Sequence, residues 1–451
     1  ETYGQFDELV TKENVIPGFR PYFGYEGEKL SATDEIYTKK SNGSTDGAVP
    51  NFYYFSAVNK NALDELIRHW EAIKKNPNAK LPYTLGWLKG VFNHIKDIRY
   101  WSAKDRFTED LLENWKFRVD ISNDQNEQIP FYLELWFSKS GVDRKRKERL
   151  VRRLIEESGG LTNKVCEVSE ISYHAISGSL PIHSIKALLA DPSFESIDLF
   201  KWDGVMYFQP AGQCITPVQG GGEATIEDMP AIPLPIRPTS KVALFDGYPL
   251  TNHSLLANRL NVDDPENIAE AYTAKEQVHG TGMSSLICLG DLSSQLNKPL
   301  DRPIYVRPIL KPVINPINGE SIEQMPEDDI PIDIVHRAVR RMFEPTDFGE
   351  PPAAPEVKII NLSIGDLGRP YIRQVSPWAK LLDWLSYKYN VLFVVSAGNY
   401  TNDLLLDVKN KDFKKLSSEE REVLVLKAMN DQMPYRRLLS PAEAINAITV
   451  G

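Results

Sequence analysis

Apolar residues recur along this chain with two different periods, and the changes of period mark its organisation. Between 52 and 125 they fall three and four apart. Leu63, Leu66, Ile67, Trp70 and Ile73 share one helical face, and Leu85, Leu88, Phe92 and Ile95 share another. This predicts a small helical region, in which Trp70, Trp87, Trp101 and Trp115 read as core. From 126 to 208 the periods alternate. FYLELWF at 131–137 reads as a strand, Lys147 to Ser158 as a helix with Leu150, Val151, Leu154 and Ile155 inward, and VCEVSEISYHAIS at 165–177 as strand again. A helix opening at Pro181 follows, with Ile182, Ile185, Leu188 and Leu189 on its apolar face, and IDLFKWDGVMYF at 197–208 supplies the last one or two strands. The order β-α-β-β-α-β predicts a ferredoxin-like α+β domain, an antiparallel sheet covered by two helices.

From 241 onward the strands are short, apolar and separated by helices: VALF, PIYVRPIL, VKIINLS, VLFVV and AITV, with helical patterns around 335–344 and 377–389. Alternation of this kind predicts an α/β domain, a parallel sheet with helices on both faces. The helix at 377 is well signed, with Ser376 as cap, Pro377 first, and Trp378, Leu381, Leu382 and Leu385 on one face. Two punctuated stretches separate these parts: SNGSTDGAVPN at 41–51, and 209–240, which holds QGGG and MPAIPLPIRP. The expected boundaries are therefore a tail at 1–51, the helical region at 52–125, the α+β domain at 126–208, a linker at 209–240 and the α/β domain from 241 to 451.

Composition narrows the function classes. With 42% hydrophobic and 25% charged residues the chain reads as globular, and its strongest apolar run, VLFVV, has the length of a strand, so no membrane partner is expected. Lys plus Arg number 52 against 62 Asp plus Glu, a net charge of −10, which offers no electrostatic footprint for nucleic acid. Cys166, Cys214 and Cys288 form neither a CxxC pair nor a disulfide framework, and ETYGQFDELV shows no basic start followed by an apolar stretch. A reducing, cytosolic compartment is expected.

In a parallel sheet the chemistry collects at the carboxyl ends of strands. Four motifs stand there. VALFDGYPL delivers Asp246 into a turn; EQVHGTGMSSL carries His279 ahead of a Gly-Thr-Gly turn and an apolar helix, where Gly280 permits close approach of another backbone; VKIINLSIGD ends in Ser363, Ile364 and Gly365; and VLFVVSAGN ends in Ala397, Gly398 and Asn399. Taken singly, Asp246 and Asn399 also read as turn residues and His279 as a structural one. The three residues 363–365 could pair with an extended peptide, and a rigidly held Asn amide could donate to a developing oxyanion.

The order of these motifs along one sheet resembles the subtilisin-like serine peptidases, the subtilase or peptidase S8 family, whose triad runs Asp, His, Ser. The resemblance implies a serine endopeptidase acting through an acyl-enzyme, without cofactor, on a protein or peptide substrate. It makes Asp246 the triad acid, His279 the base and Asn399 the oxyanion donor, with Ser363, Ile364, Gly365, Ala397 and Gly398 binding substrate. His253 reads as structural. Asp263, Asp264 and Glu266 read as a solvated turn and helix start, and no metal is expected. The α+β domain resembles the family's propeptide, an inhibitor-I9-like chaperone and inhibitor. Its exit, 209–222, would then lie product-like in the cleft, with the Gly-rich end a self-cleavage point. A regulatory partner such as an ATPase is implied only by analogy with intracellular relatives.

The sequence departs from the family in three respects. No serine stands in a GTSMA-like turn, since Ser284, Ser285, Ser396 and Ser440 lack that context, so the nucleophile is expected beyond Gly451. The family's Asp-Thr-Gly or Asp-Ser-Gly is here Asp246-Gly247-Tyr248, without the usual hydroxyl. Insertions at 308–331 and 345–356 are expected to decorate the cleft rim, and a charged helical one (SSEEREVLVLKAMND) lies between Asn399 and Ser440. The rival reading is a catalytically inactive peptide-binding or scaffold protein of the same fold. Another α/β hydrolase is disfavoured because no GxSxG elbow follows a strand.

Overall fold

A computed structural model of the chain describes residues 102–451 except 123, 192, 213, 218–231, 293–297, 316–318, 372–374, 400–403 and 433–435. Among the first hundred it describes 60–82, 85–86, 88–92, 95 and 98, with short paired strands. The chain divides into two units, Glu1–Trp101 with Ile372–Gln374, and Ser102–Tyr371 with Val375–Gly451.

In the first unit the helix Lys60–Lys75 and the short helix Leu88–Phe92 enclose a small core of Trp70, Ile73, Leu85, Leu88 and Phe92. The indole of Trp70 donates to the Ile95 carbonyl at 3.2 Å, satisfying its one polar atom. Within the expected tail and connector, Thr45–Val49 pairs antiparallel with Ile36–Lys39. Trp87 and Trp101 lie outside the described residues, and Trp115 belongs to the second unit.

The second unit opens with helix α1 (Glu109–Ile121), capped by Thr108, whose hydroxyl accepts the Leu111 N–H at 3.2 Å. There follow β1 (Gln128–Leu135), α2 (Gly141–Glu157), β2 (Leu161–Val168), β3 (Tyr173–Pro181), α3 (Ile182–Ala190) and β4 (Val205–Pro210). These strands form an antiparallel sheet in the order β4-β1-β3-β2. IDLFKWDGVMYF yields only one strand, because Asp198–Lys201 turns as a short helix that buries Leu199 and Phe200. Strand alternation gives the sheet two different faces. Phe131 and Leu133 face a core shared with Trp115 of α1 and Val151, Leu154 and Ile155 of α2. On the other face Tyr132, Cys166, Val168, Tyr173 and Ala175 join the core of the next domain.

That domain begins after β5 (Ile215–Pro217) with β6 (Val242–Asp246) and β7 (Leu260–Val262). It continues through α4 (Val278–Leu289), β8 (Ile304–Pro308), β9 (Lys311–Ile314), β10 (Ser321–Gln324) and α5 (Pro331–Phe343). It then runs through β11 (Ile359–Leu362), β12 (Asp366–Pro370), α6 (Pro377–Tyr389), β13 (Leu392–Ser396), α7 (Ser418–Gln432), β14 (Leu439–Ser440) and β15 (Ala447–Val450). Six parallel strands run in the order β7-β8-β6-β11-β13-β15. In β6, Ala243 and Phe245 join the core that holds α5 and α6, whereas Leu244 packs with Cys288 and Leu289 of α4. A strand buried on both faces has to read as a continuous apolar run, as VALF does. The edge strand β7 carries only Leu260 and Val262 as apolar residues, which is why the sequence pattern did not mark it. Ser376 caps α6 by accepting the Ala379 N–H at 3.0 Å, with Pro377 in the first turn.

The linker 209–240 is an ordered strand in part. Its residues 215–217 form β5, which joins β9 and β10 in an antiparallel three-stranded sheet ordered β5-β10-β9. The Gly-rich segment expected as a self-cleavage point lies outside the described residues. The Pro-rich insertion therefore contains a hairpin, and its second strand reaches well inside the rim.

Candidate active site

Because β6, β11 and β13 are parallel neighbours, their carboxyl ends meet at one edge, where Asp246, Ser363–Gly365 and Ala397–Asn399 stand. Asp246 is the last residue of β6 and fully buried. A carboxylate so placed needs donors. Its Oδ1 accepts from His279 Nδ1 at 2.6 Å and from the Gly247 backbone N–H at 2.7 Å. Oδ2 is buried without a hydrogen-bond partner among the described residues.

His279 lies in the first turn of α4, which starts at Val278 and so includes the Gly-Thr-Gly expected as a turn. Two features press this helix against the Asp246 loop. A Cβ on Gly280 would stand 2.2 Å from the Gly247 carbonyl oxygen, a contact only glycine permits. The Thr281 hydroxyl accepts the Leu250 N–H at 2.8 Å and donates to the Gln277 carbonyl. The imidazole is 24% exposed, so with Nδ1 on Asp246 its other nitrogen is left to solvent or substrate. Burial pulls the His279 pKa down, but the Asp246 hydrogen bond and charge, with Glu323 behind them, outweigh burial and leave it raised.

Glu323 of β10 is the residue sequence reasoning missed. It is fully buried, accepts from the Tyr272 hydroxyl at 2.6 Å, and its Oε1 occupies the place a Cβ on Gly247 would take, 1.9 Å away. Burial first, then the Asp246 charge, raise its pKa to about 7, against the pull of Tyr272 and His279. Burial and the Glu323 carboxylate push the Tyr272 phenol far up, so it remains a donor. Nothing in SIEQMPEDD distinguished this glutamate from the other acidic residues beside it.

The segments expected to bind substrate also come together. Ile364 is buried in the main core, and the Ser363 hydroxyl donates to Asn361 Oδ1 at 2.8 Å. A Cβ on Gly365 would lie 3.6 Å from the Gly398 Cα. Gly398 has φ +106°, open to glycine alone. Leu439 fills the space between the two glycines, its N–H donating to the Ala397 carbonyl at 3.0 Å. The Asn399 side chain is exposed at the tip of β13. His253 accepts the Leu255 N–H at 3.4 Å within its own turn. Asp263 and Glu266 pair with Arg307, and Asp264 accepts the Ile268 and Ala269 N–H groups. No group of acidic, histidine or cysteine side chains suited to a metal occurs among the described residues.

A comparison with curated proteins returned no match. The dyad, the two glycine-bearing strand ends and the six-stranded parallel sheet all fall inside the segment 239–451, which matches the model of the Subtilase family, peptidase S8, and this chain therefore carries a subtilisin-like S8 serine peptidase domain.

Proposed function

We propose that the protein is a subtilisin-like serine endopeptidase made as a zymogen, held by its own α+β domain, with a nucleophilic serine supplied from outside residues 1–451. The observation that carries this reading is the 2.6 Å contact of the His279 imidazole with a fully buried carboxylate at the carboxyl edge of the parallel sheet. In the reaction His279 takes the serine hydroxyl proton as the oxygen attacks the scissile carbonyl. It then returns that proton to the leaving amine, and repeats the cycle with water on the acyl-enzyme. Asp246 holds the imidazole in the tautomer this needs and supports the imidazolium. Asn399 is offered for the oxyanion, where losing a single donor costs roughly 3 to 4 kcal/mol of transition-state stabilisation.

Two further observations support autoinhibition. The α+β sheet buries one face in the core that holds α5 and α6. Its exit chain then runs along the substrate side: Cys214 pairs antiparallel with Asp366, the residue after Gly365, and β5 adds to β10. An extended chain beside the substrate-binding segment is what a product-like inhibitor would present. The three cysteines are buried free thiols, in keeping with the reducing, cytosolic setting we infer.

The test is labelling of the full-length protein by a serine-directed fluorophosphonate. Labelling is expected in the wild type once limited proteolysis of the 209–240 segment has released the cleft, and its loss in His279→Ala treated alike. Undiminished labelling of the variant removes His279 from the triad, and an unlabelled wild type favours the inactive peptide-binding alternative.

A further inference from the structure

We propose that Glu323 is a positioning residue of the catalytic dyad: its carboxylate, reaching in from β10, fills the place of a side chain at position 247 and fixes the first turn of α4 against the Asp246 loop. This deepens the peptidase reading and rests on it.

The argument begins with Gly247. A Cβ there would stand 1.9 Å from Glu323 Oε1, 2.8 Å from its carboxyl carbon and 2.7 Å from the Tyr272 hydroxyl, so any side chain at 247 and this carboxyl pair exclude each other. The sequence lacks a hydroxyl after the aspartate, and the structure puts two oxygen-bearing side chains where one would have been. The Tyr272 hydroxyl, 2.6 Å from Oε1 and 3.0 Å from the Leu310 carbonyl, ties the carboxyl to the rest of the domain.

Glu323 also meets the histidine's helix. Gln277 at the N-cap makes no side-chain cap, leaving the first amides of α4 without their usual partner. The Glu323 Oε2 is buried and meets no hydrogen-bond donor among the described residues, and the His279 backbone favours the charged form of the carboxyl. A carboxylate at a helix N-terminus also complements the helix dipole. The titratable groups that face Glu323 are Asp246 from β6, Tyr272 from the loop before α4, and His279. Its cross-strand neighbours, Thr216 of β5 and Pro312 of β9, bring no charge. Held between two strands, Glu323 can place the imidazole without touching the substrate.

The experiment is a double-mutant cycle in the full-length protein, read by the rate of fluorophosphonate labelling across pH and by NMR titration of the His279 imidazole. Glu323→Ala should slow labelling about ten- to a hundredfold, as loss of an orienting partner does. Glu323→Gln keeps the shape and loses the charge. It should label well at high pH, move the acid limb to lower pH, and lower the His279 titration midpoint. Gly247→Ser should abolish labelling alone and be rescued in Gly247→Ser/Glu323→Ala, where the hydroxyl replaces the carboxyl. A wild type that stays unlabelled after the 209–240 segment has been cut would overturn the peptidase reading itself. A labelled wild type whose Glu323→Ala variant matches it at every pH would overturn the role of Glu323. So would an unchanged His279 titration in Glu323→Gln, a readout that needs no nucleophile and survives a misfolded Gly247→Ser.

Discussion

Arg369 of the peptidase domain reaches Glu134 of the α+β domain at 2.5 Å, with the two side chains only 14% and 6% exposed. The guanidinium also lies over the Tyr132 ring, 6.0 Å from its centroid. Burial would depress the Arg369 pKa, but the facing carboxylates of Glu134 and Asp366 help to reverse it, and the value is raised. Buried pairs add little over an apolar substitute, yet removing one partner strands the other charge, at about 3 to 5 kcal/mol. Arg369→Ala should therefore loosen the α+β domain by roughly that amount. Limited proteolysis of the 209–240 segment should accelerate in the variant. An unchanged digestion rate would show that the apolar face holds the domain by itself.

Stability should depend on pH through the same carboxylate that positions the histidine. Glu323 rises from an unfolded value near ~4.3 to about 7 on folding. A raised folded value stabilises below the unfolded pKa and is lost as pH climbs through the folded one. The wild type should thus lose on the order of 3 kcal/mol relative to Glu323→Gln between about pH 4.3 and 7. The raised His279 value acts in the same direction above the unfolded pKa of about 6.5. Chemical denaturation at pH 4.5, 6 and 8 measures the difference, and a gap that stays constant would contradict the burial of an ionisable Glu323.

How much of this was legible in the sequence follows from what each residue's neighbours are. Asp246 and His279 stand at the ends of elements with strong local patterns, a continuous apolar strand and a glycine-rich helix start, so their positions could be read from the chain. Trp115 was assigned to the helical region because its helix is amphipathic on its own, yet it packs against Phe131, ring centroids 6.0 Å apart, in the α+β core. Helical periodicity shows that a face is buried and leaves its partner unnamed. Glu323, Tyr272 and Leu439 were invisible for a related reason: their roles arise from pairings between residues far apart in the chain, such as Tyr272 with Glu323, 51 positions away. The Pro-rich insertion read as rim decoration because prolines punctuate it, although Lys311–Ile314 still pairs with Ser321–Gln324 as a hairpin.

Gly280→Ala sets two effects against each other. Within a helix alanine is favoured over glycine by about 1 kcal/mol. Here the new methyl would lie 2.2 Å from the Gly247 carbonyl oxygen, a backbone atom that cannot rotate away. Overpacking of this kind costs about 1 to 3 kcal/mol, and a shift of α4 by an ångström slows chemistry about a hundredfold. Thermal unfolding should fall and labelling should slow. A stabilised variant that labels normally would mean that α4 and the Asp246 loop are not in the contact described.

Leu439 bears on which peptides can be cut. It is 1% exposed and stands between the two segments assigned to substrate, 3.0 Å from a Cβ placed on Gly365 to its own Cβ, and 2.5 Å from one placed on Gly398 to its Cγ. A substrate side chain entering between those segments meets the isobutyl group at once, so small residues should be preferred there. Each methylene that a pocket admits or rejects is worth about 1 to 3 kcal/mol, or about 10- to 200-fold. Leu439→Ala should therefore raise kcat/KM for peptides with Leu or Phe before the scissile bond by at least about tenfold, and leave Gly and Ala peptides nearly unchanged. The cavity should cost about 2 to 5 kcal/mol of stability, so turnover is compared well below the unfolding midpoint. Equal gains for small and large side chains would mean that Leu439 only packs the sheet edge and takes no part in selecting the peptide.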